Sequence, residues 1–265
     1  MGIIFSKELL MSESKVTLTV TTNPASATCT LTYDGNSYTT KTASVKKGTI
    51  ISYSVYHSTY GTKTGTITMD SDKTLTFTGT YSTTSTDVSW TRPNLSGFGT
   101  MGGSSFACEA KSANAVINSS VSGYEGWKAF DGISNSSSNY WDARGANMQS
   151  AFPAYITWYN PTAIKVTQVT ITQQRGDISP KTGTIQASDN NSNWTTLTSW
   201  TNSNVTTGAS WNINLSSNTN FYNYYKLNIT ASNTSGGTTT QIREITMTAY
   251  TEQTSYTYYW DVTTS

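Results

Sequence analysis

Between residues 16 and 81 the chain alternates apolar and polar positions with period two, the spacing of a half-buried β-strand. Val16, Leu18 and Val20 fall on one face, as do Ile51, Tyr53 and Val55, and the pairs Ile67/Met69 and Leu75/Phe77 repeat the pattern. Turn residues interrupt it at Asn23-Pro24, Asp34-Gly35-Asn36, Lys47-Gly48 and Asp70-Ser71-Asp72. Asp34-Gly35, set between Leu31-Thr32-Tyr33 and Ser37-Tyr38-Thr39, predicts a two-residue hairpin. About six short strands are enough for a small sandwich, predicted over 16–82. Longer strands are predicted further on, at 154–158, 166–171, 183–187 and 225–229, within a second domain over 95–250. Its connections at 133–150, 173–182, 201–210 and 231–240 are long and polar, which is where binding residues concentrate.

Three stretches fall outside these patterns. Residues 1–15 read as an N-terminal arm, with no sustained apolar run and no small-residue cleavage site, so no secretory signal peptide is expected. Residues 83–94, rich in Ser and Thr and closing on Arg92-Pro93, read as a linker. Residues 251–265 carry Tyr256-Thr257-Tyr258-Tyr259-Trp260, a strand too apolar for a free tail. It is expected to pack on its own domain or on a neighbouring copy, which predicts a homo-oligomer.

Composition sharpens the class. Val, Thr, Tyr and Trp favour strands, while the helix formers Ala, Leu, Glu and Lys are scarce, so the chain reads as all-β. Charged residues are 12% of the total and the net charge is +1, so neither nucleic acid nor an anionic membrane is an expected partner. Cys29 and Cys108 are expected as separate buried thiols. The single histidine, His57, has no partners for metal or catalytic work. The second domain has few acids (Glu109, Glu125, Asp131, Asp142, Asp177, Asp189 and Glu244) and no histidine, so no catalytic site is expected and the chain is read as a non-enzyme. Arg175-Gly176-Asp177 spells an integrin-binding tripeptide, but three residues recur by chance.

Two resemblances give these patterns a family. Val16 to Val20, Asn23-Pro24-Ala25-Ser26-Ala27, the Asp34-Gly35 hairpin and the Lys47-Gly48 turn resemble small PEGA-type β-sandwich modules. Trp127-Lys128-Ala129-Phe130-Asp131-Gly132 with Trp141 resembles the opening signature of the discoidin, or coagulation-factor type C, domain. Further matches are Ile185 to Asn190 with Trp194, the strand Tyr224 to Thr230, and Arg243-Glu244-Ile245. The resemblance implies two tandem sandwiches, the second an eight-stranded jelly roll of the galactose-binding type. That domain would be close to family-32 carbohydrate-binding modules and similar to versions found in phage tail and fibre proteins.

The resemblance also implies chemistry. Many relatives hold a structural Ca²⁺ beneath the first loop, which maps onto Asp131, Asn139 and Glu244 with the backbone carbonyls of Lys128 and Ile133. The competing reading is that Asp131 only caps its turn and Glu244 pairs with Arg243 or a lysine. A sugar site needs an aromatic platform with a few amides or an Arg, and the loop candidates are Tyr124, Tyr140, Arg144, Asn147, Gln174, Arg175 and Trp211. Galactose-binding relatives use a His and an Arg from one loop; the His is missing here, which leaves the sugar open. Trp127, Trp141 and Trp194 are expected as packing residues. The function expected is a bacteriophage virion surface protein, as a tail-fibre, receptor-binding or capsid-decoration component. It would be assembled with other virion proteins and face host cell-surface glycans. The alternatives are a carbohydrate-binding module of a bacterial surface protein and a purely structural virion cement.

Overall fold

The computed structural model of the chain describes residues 14–112, 117–118, 123–144, 151–234 and 238–265. The described residues are all-β apart from one short 3-10 turn, Gly126–Phe130. Among the described residues no helix is long and apolar enough to cross a membrane. The chain divides into two compact units, the first made of the chain up to Ser85 together with Thr254–Ser265, the second of Thr86–Gln253.

In the first unit, β1 (Lys15–Asn23) lies between β4 (Thr42–Lys46), antiparallel, and the start of β7 (Lys73–Trp90), parallel. The second sheet runs in the order β3 (Asn36–Thr39), β2 (Thr28–Tyr33), β5 (Ile50–His57), β6 (Gly61–Thr68). The expected hairpin is present: Tyr33 pairs with Asn36, and Asp34 and Gly35 take positive φ between them. The period-two faces meet as one core of Leu18, Val20, Leu31, Ile51, Val55, Met69, Leu75 and Phe77, with Val16, Tyr53 and Ile67 packed at its margin.

Trp260 completes that core. It lies on the last part of β15 (Thr239–Thr264) and is 6% exposed. Its ring meets Tyr60 at 5.1 Å and Phe77 edge-on at 6.1 Å, and its Nε1 donates to Gly61 O at 3.1 Å. The C-terminal strand is thus a structural part of the N-terminal unit. His57 packs against Tyr60 and Trp260, and its Nδ1 accepts from the Thr59 amide, so it is a packing residue. Cys29 and Cys108 are buried and unpaired, one in each unit.

The second unit is a sandwich of two antiparallel sheets. One runs β12 (Thr195–Thr201), β11 (Pro180–Ser188), β14 (Tyr222–Ser232), the first half of β10 (Ala154–Gln173), β8 (Ala107–Lys111). The other runs β13 (Ser210–Asn214), the second half of β10, β15, β9 (Trp141–Arg144). Eight strands, β8 to β15, therefore form the expected jelly roll among the described residues, with β10 serving both sheets.

The changeover in β10 falls between Tyr159 and Ile164, where Pro161 has no N–H to give a ladder. Buried Tyr225 bridges the gap: its hydroxyl donates to Ile164 O at 2.7 Å and accepts from the Val166 amide at 3.2 Å. Phe130, Trp141, Trp158, Ile171, Ile185, Leu227 and Ile245 fill the space between the sheets.

Residues 83–90, expected as linker, are the second half of β7. Alongside β15, Thr86 Oγ1 donates to Gln253 O and Thr251 Oγ1 to Val88 O, both at 3.4 Å. The sequence hides this strand because it has no buried face to show; its β-branched Thr and Val residues suit a ladder with exposed sides.

Candidate functional site

At one end of the second unit three loops are tied together by a chain of polar contacts. The 3-10 turn buries Ala129 and Phe130 and sets Tyr124 just ahead of it. Three contacts stiffen the turn: Lys128 Nζ donates to Gly123 O at 2.5 Å and pairs with Glu125 at 3.8 Å, while Glu125 accepts from the Gly123 amide. The Asp142 amide donates to Tyr124 O at 3.1 Å, which docks the entry to β9 against this turn. As a result Tyr124 and Tyr140 stack, with ring centroids 4.5 Å apart and planes 26° from parallel. Both remain partly exposed. Burial, followed by its contact with the Tyr124 hydroxyl and by nearby Asp142, raises the Tyr140 hydroxyl above its ordinary value.

Arg144, on β9, is close enough to act electrostatically on the Tyr140 hydroxyl. Its Nη2 donates to Asp142 Oδ2 at 2.8 Å while half of the side chain stays in solvent. Asp142 is itself 1% exposed and fully used: Oδ1 accepts from Thr239 Oγ1 at 2.6 Å, and Oδ2 also accepts from Gln241 Nε2 at 3.0 Å. A buried carboxylate thus fixes an exposed guanidinium. No role for Asp142 could be read locally, because its partners Thr239 and Gln241 lie almost 100 positions away (|i−j| 97 and 99).

Gln174 is buried rather than presented to a ligand. Its Nε2 donates to Ser137 O at 2.7 Å and its Oε1 accepts from Arg243 Nε, so it clamps the 131–140 loop to β15. Arg243 is a site residue that sequence reasoning missed. The ladder between β10 and β15 slips at Thr172/Gln173, opposite Glu244 and Ile242, so Arg243 is the extra residue of a bulge and turns to the loops. Arg175 pairs with Asp177 at 2.5 Å, both well exposed, a contact of little energetic weight. The Arg and Asp of the tripeptide thus engage each other.

Gly176 between them is buried against the Val205 backbone, where a Cβ would come within 1.5 Å of the carbonyl oxygen. Gly176→Ala is expected to cost about 1–3 kcal/mol of stability, read as a lowered urea midpoint with unchanged slope.

Trp211 does not join the cluster; on β13 it packs against Trp200 of the core at 5.1 Å. Asn147 lies outside the described residues. Of the three tryptophans expected to pack, Trp141 is buried and Trp127 lies half-buried against the core. Trp194 is not in that core. Its face is covered by the Lys226 ammonium at 3.7 Å, which explains how a large ring is tolerated near the surface.

The residues expected around calcium form a second polar centre. Asp131 Oδ1 accepts from the Ile133 amide at 2.9 Å, and its Oδ2 from Asn139 Nδ2 at 2.5 Å. Glu244 Oε2 accepts from the Gly132 amide at 3.0 Å, and Oε1 from Arg92 Nη2 at 2.5 Å. Gly132 sits at φ +85°, and a Cβ there would also strike the Asn94 side chain at 2.3 Å, so only glycine closes this turn. Burial raises the Glu244 carboxyl, to about 7, against the pull of Arg92 and the bond from Gly132. No group of three or more His, Cys, Asp or Glu is placed to hold a metal among the described residues.

An open cleft of about 690 Å³ lies elsewhere on the unit, lined in part by Trp90, Leu95, Phe106, Asn160 and Pro161. It lacks a charged group, whereas the tyrosine pair combines a stacking face with an oriented guanidinium. The loop end is therefore the stronger candidate.

No protein-family model matches the sequence, and no curated protein does. Solved structures similar to part of the chain include the family 32 carbohydrate-binding module from Clostridium perfringens NanJ, in complex with galactose. It is 16% identical with a TM-score of 0.42, covering 56% of this chain and 93% of that one. An F5/8 type C domain from Bacteroides fragilis is 17% identical, with a TM-score of 0.42 and the same two shares of coverage, 56% and 93%. Chitosan-binding module 1 of a chitosanase/glucanase from Paenibacillus sp. IK-5 is 22% identical with a TM-score of 0.39, covering 53% of this chain and 92% of that one.

Proposed function

We propose that the chain is a non-enzymatic glycan-binding protein of a bacteriophage virion surface, acting through the loop end of its second unit. The observation that carries the binding reading is the Tyr124/Tyr140 stack beside Arg144, with Arg144 held by buried Asp142. An aromatic face gives the apolar side of a sugar ring a place to stack, and an oriented guanidinium supplies paired donors for its hydroxyls. The net charge of +1 suits a neutral ligand. The carboxylates support a structural role: Asp131, Asp142 and Glu244 each spend both oxygens on internal donors, which leaves no free acid–base pair among them.

The virion placement rests on the tandem sandwiches, the polar, charge-poor composition and the resemblance of the discoidin-like motifs to phage tail and fibre proteins. A glycan array probed with the full chain tests the binding reading. Binding to a defined set of neutral or near-neutral glycans is expected, and a blank array would favour a structural cement. A carbohydrate-binding module of a bacterial surface protein would give the same array. The genes beside this one separate the two: capsid or baseplate genes are expected, and a glycoside hydrolase operon would count against the virion.

A further inference from the structure

We propose that the Arg92 guanidinium stands where the discoidin resemblance places calcium, so that the first loop is organised by an internal cation and takes no metal. All four carboxylate oxygens of Asp131 and Glu244 already accept a hydrogen bond from within the fold. Asp131 gives one to the Ile133 amide and the other to Asn139 Nδ2; Glu244 gives one to the Gly132 amide and the other to Arg92. Asn139 meets Asp131 through its amide hydrogens, so it is the nitrogen of its amide that faces the carboxylate.

Arg92 does what a bound cation does. Its Nη1 donates to Phe130 O and, at 2.8 Å, to Pro93 O, while Nη2 holds Glu244. One planar fork thus gathers the carbonyl that ends the 3-10 turn and a carboxylate 152 residues further along the chain. The guanidinium also lies 5.4 Å from the centre of the Phe130 ring. The Arg92 and Glu244 side chains are 7% and 3% exposed, and the pair forms part of the wall of a cleft of about 580 Å³. The segment that carries Arg92 is strapped down beside it, with the Leu95 amide donating to Phe130 O at 2.9 Å and Asn94 filling the space above Gly132. A divalent ion brought to Glu244 would face this fixed positive charge at close range.

The test uses the full chain. Thermal unfolding of the unaltered protein in millimolar calcium chloride and in EDTA should give the same melting temperature. Terbium should show no saturable, calcium-competed emission sensitised by nearby tryptophan. Arg92→Ala should melt lower by about 10 °C in EDTA, since it strands a buried carboxylate. Arg92→Lys should recover only part of that loss, because one ammonium cannot span both Phe130 O and Glu244. A rise of more than about 3 °C with calcium in the unaltered protein would overturn the proposal. So would saturable terbium binding, or an Arg92→Ala variant that melts like the parent. If Arg92→Ala does not fold, the calcium and terbium titrations of the unaltered protein decide the matter by themselves.

Discussion

Trp260→Ala is expected to destabilise the first unit by about 3–5 kcal/mol, the range for emptying a buried tryptophan site. The ring fills the space between Phe77 and Tyr60, and its Nε1 satisfies Gly61 O at the hairpin joining β5 to β6. Alanine would leave a cavity against two aromatic faces and remove the hydrogen bond to Gly61 O. Trp260→Phe keeps most of the volume but loses the hydrogen bond, so a smaller loss of about 1–2 kcal/mol is expected. Hydrogen exchange across residues 50–68 is the local readout, because those strands frame the tryptophan. A loss under about 1 kcal/mol, with exchange unchanged there, would mean that the C-terminal strand is not part of that core.

Asp142→Ala is expected to cost about 2–4 kcal/mol and to weaken glycan binding at least tenfold. The carboxylate collects Thr239, Gln241 and Arg144 in a site that is 1% exposed. Without it the Gln241 amide and the Thr239 hydroxyl lose their acceptor, and Arg144 has no fixed direction. Asp142→Asn keeps the shape and one acceptor oxygen, so it should retain more stability than alanine while still loosening Arg144. Urea unfolding and calorimetric titration with an array-selected glycan measure the two effects separately. Equal affinity in the alanine variant would remove Arg144 from the site.

Much of the fold was legible because burial has a period. Leu18 with Val20, Ile51 with Val55, and Leu75 with Phe77 alternate with Thr and Ser, and each of these residues is buried. The Asp34-Gly35 turn was equally readable, since positive φ has few chemical solutions. The second half of β7 was not, because a strand exposed on both sides carries no apolar period and its Ser/Thr composition copies that of a linker.

The candidate site divides along the same line. Tyr124, Tyr140 and Arg144 could be named because polar loops over a sandwich limit where a ligand can be met, and the fold brings these three together. Arg92, Asp142 and Arg243 could not, since each gains its role from a partner remote in sequence or from a bulge. Local pattern reports which way a residue faces. It does not report which oxygen a guanidinium will find across the sandwich.

The loop-end assignment is tested most directly by titrating one array-selected glycan into the full chain and into its Tyr124→Ala/Tyr140→Ala double variant. Both tyrosines are partly exposed and contribute little to the core, so the variant should unfold at nearly the same urea concentration as the parent. Its affinity should fall at least tenfold, a loss of about 1.4 kcal/mol or more. A folded double variant that binds the glycan as tightly as the parent would place recognition elsewhere on the protein and contradict the account.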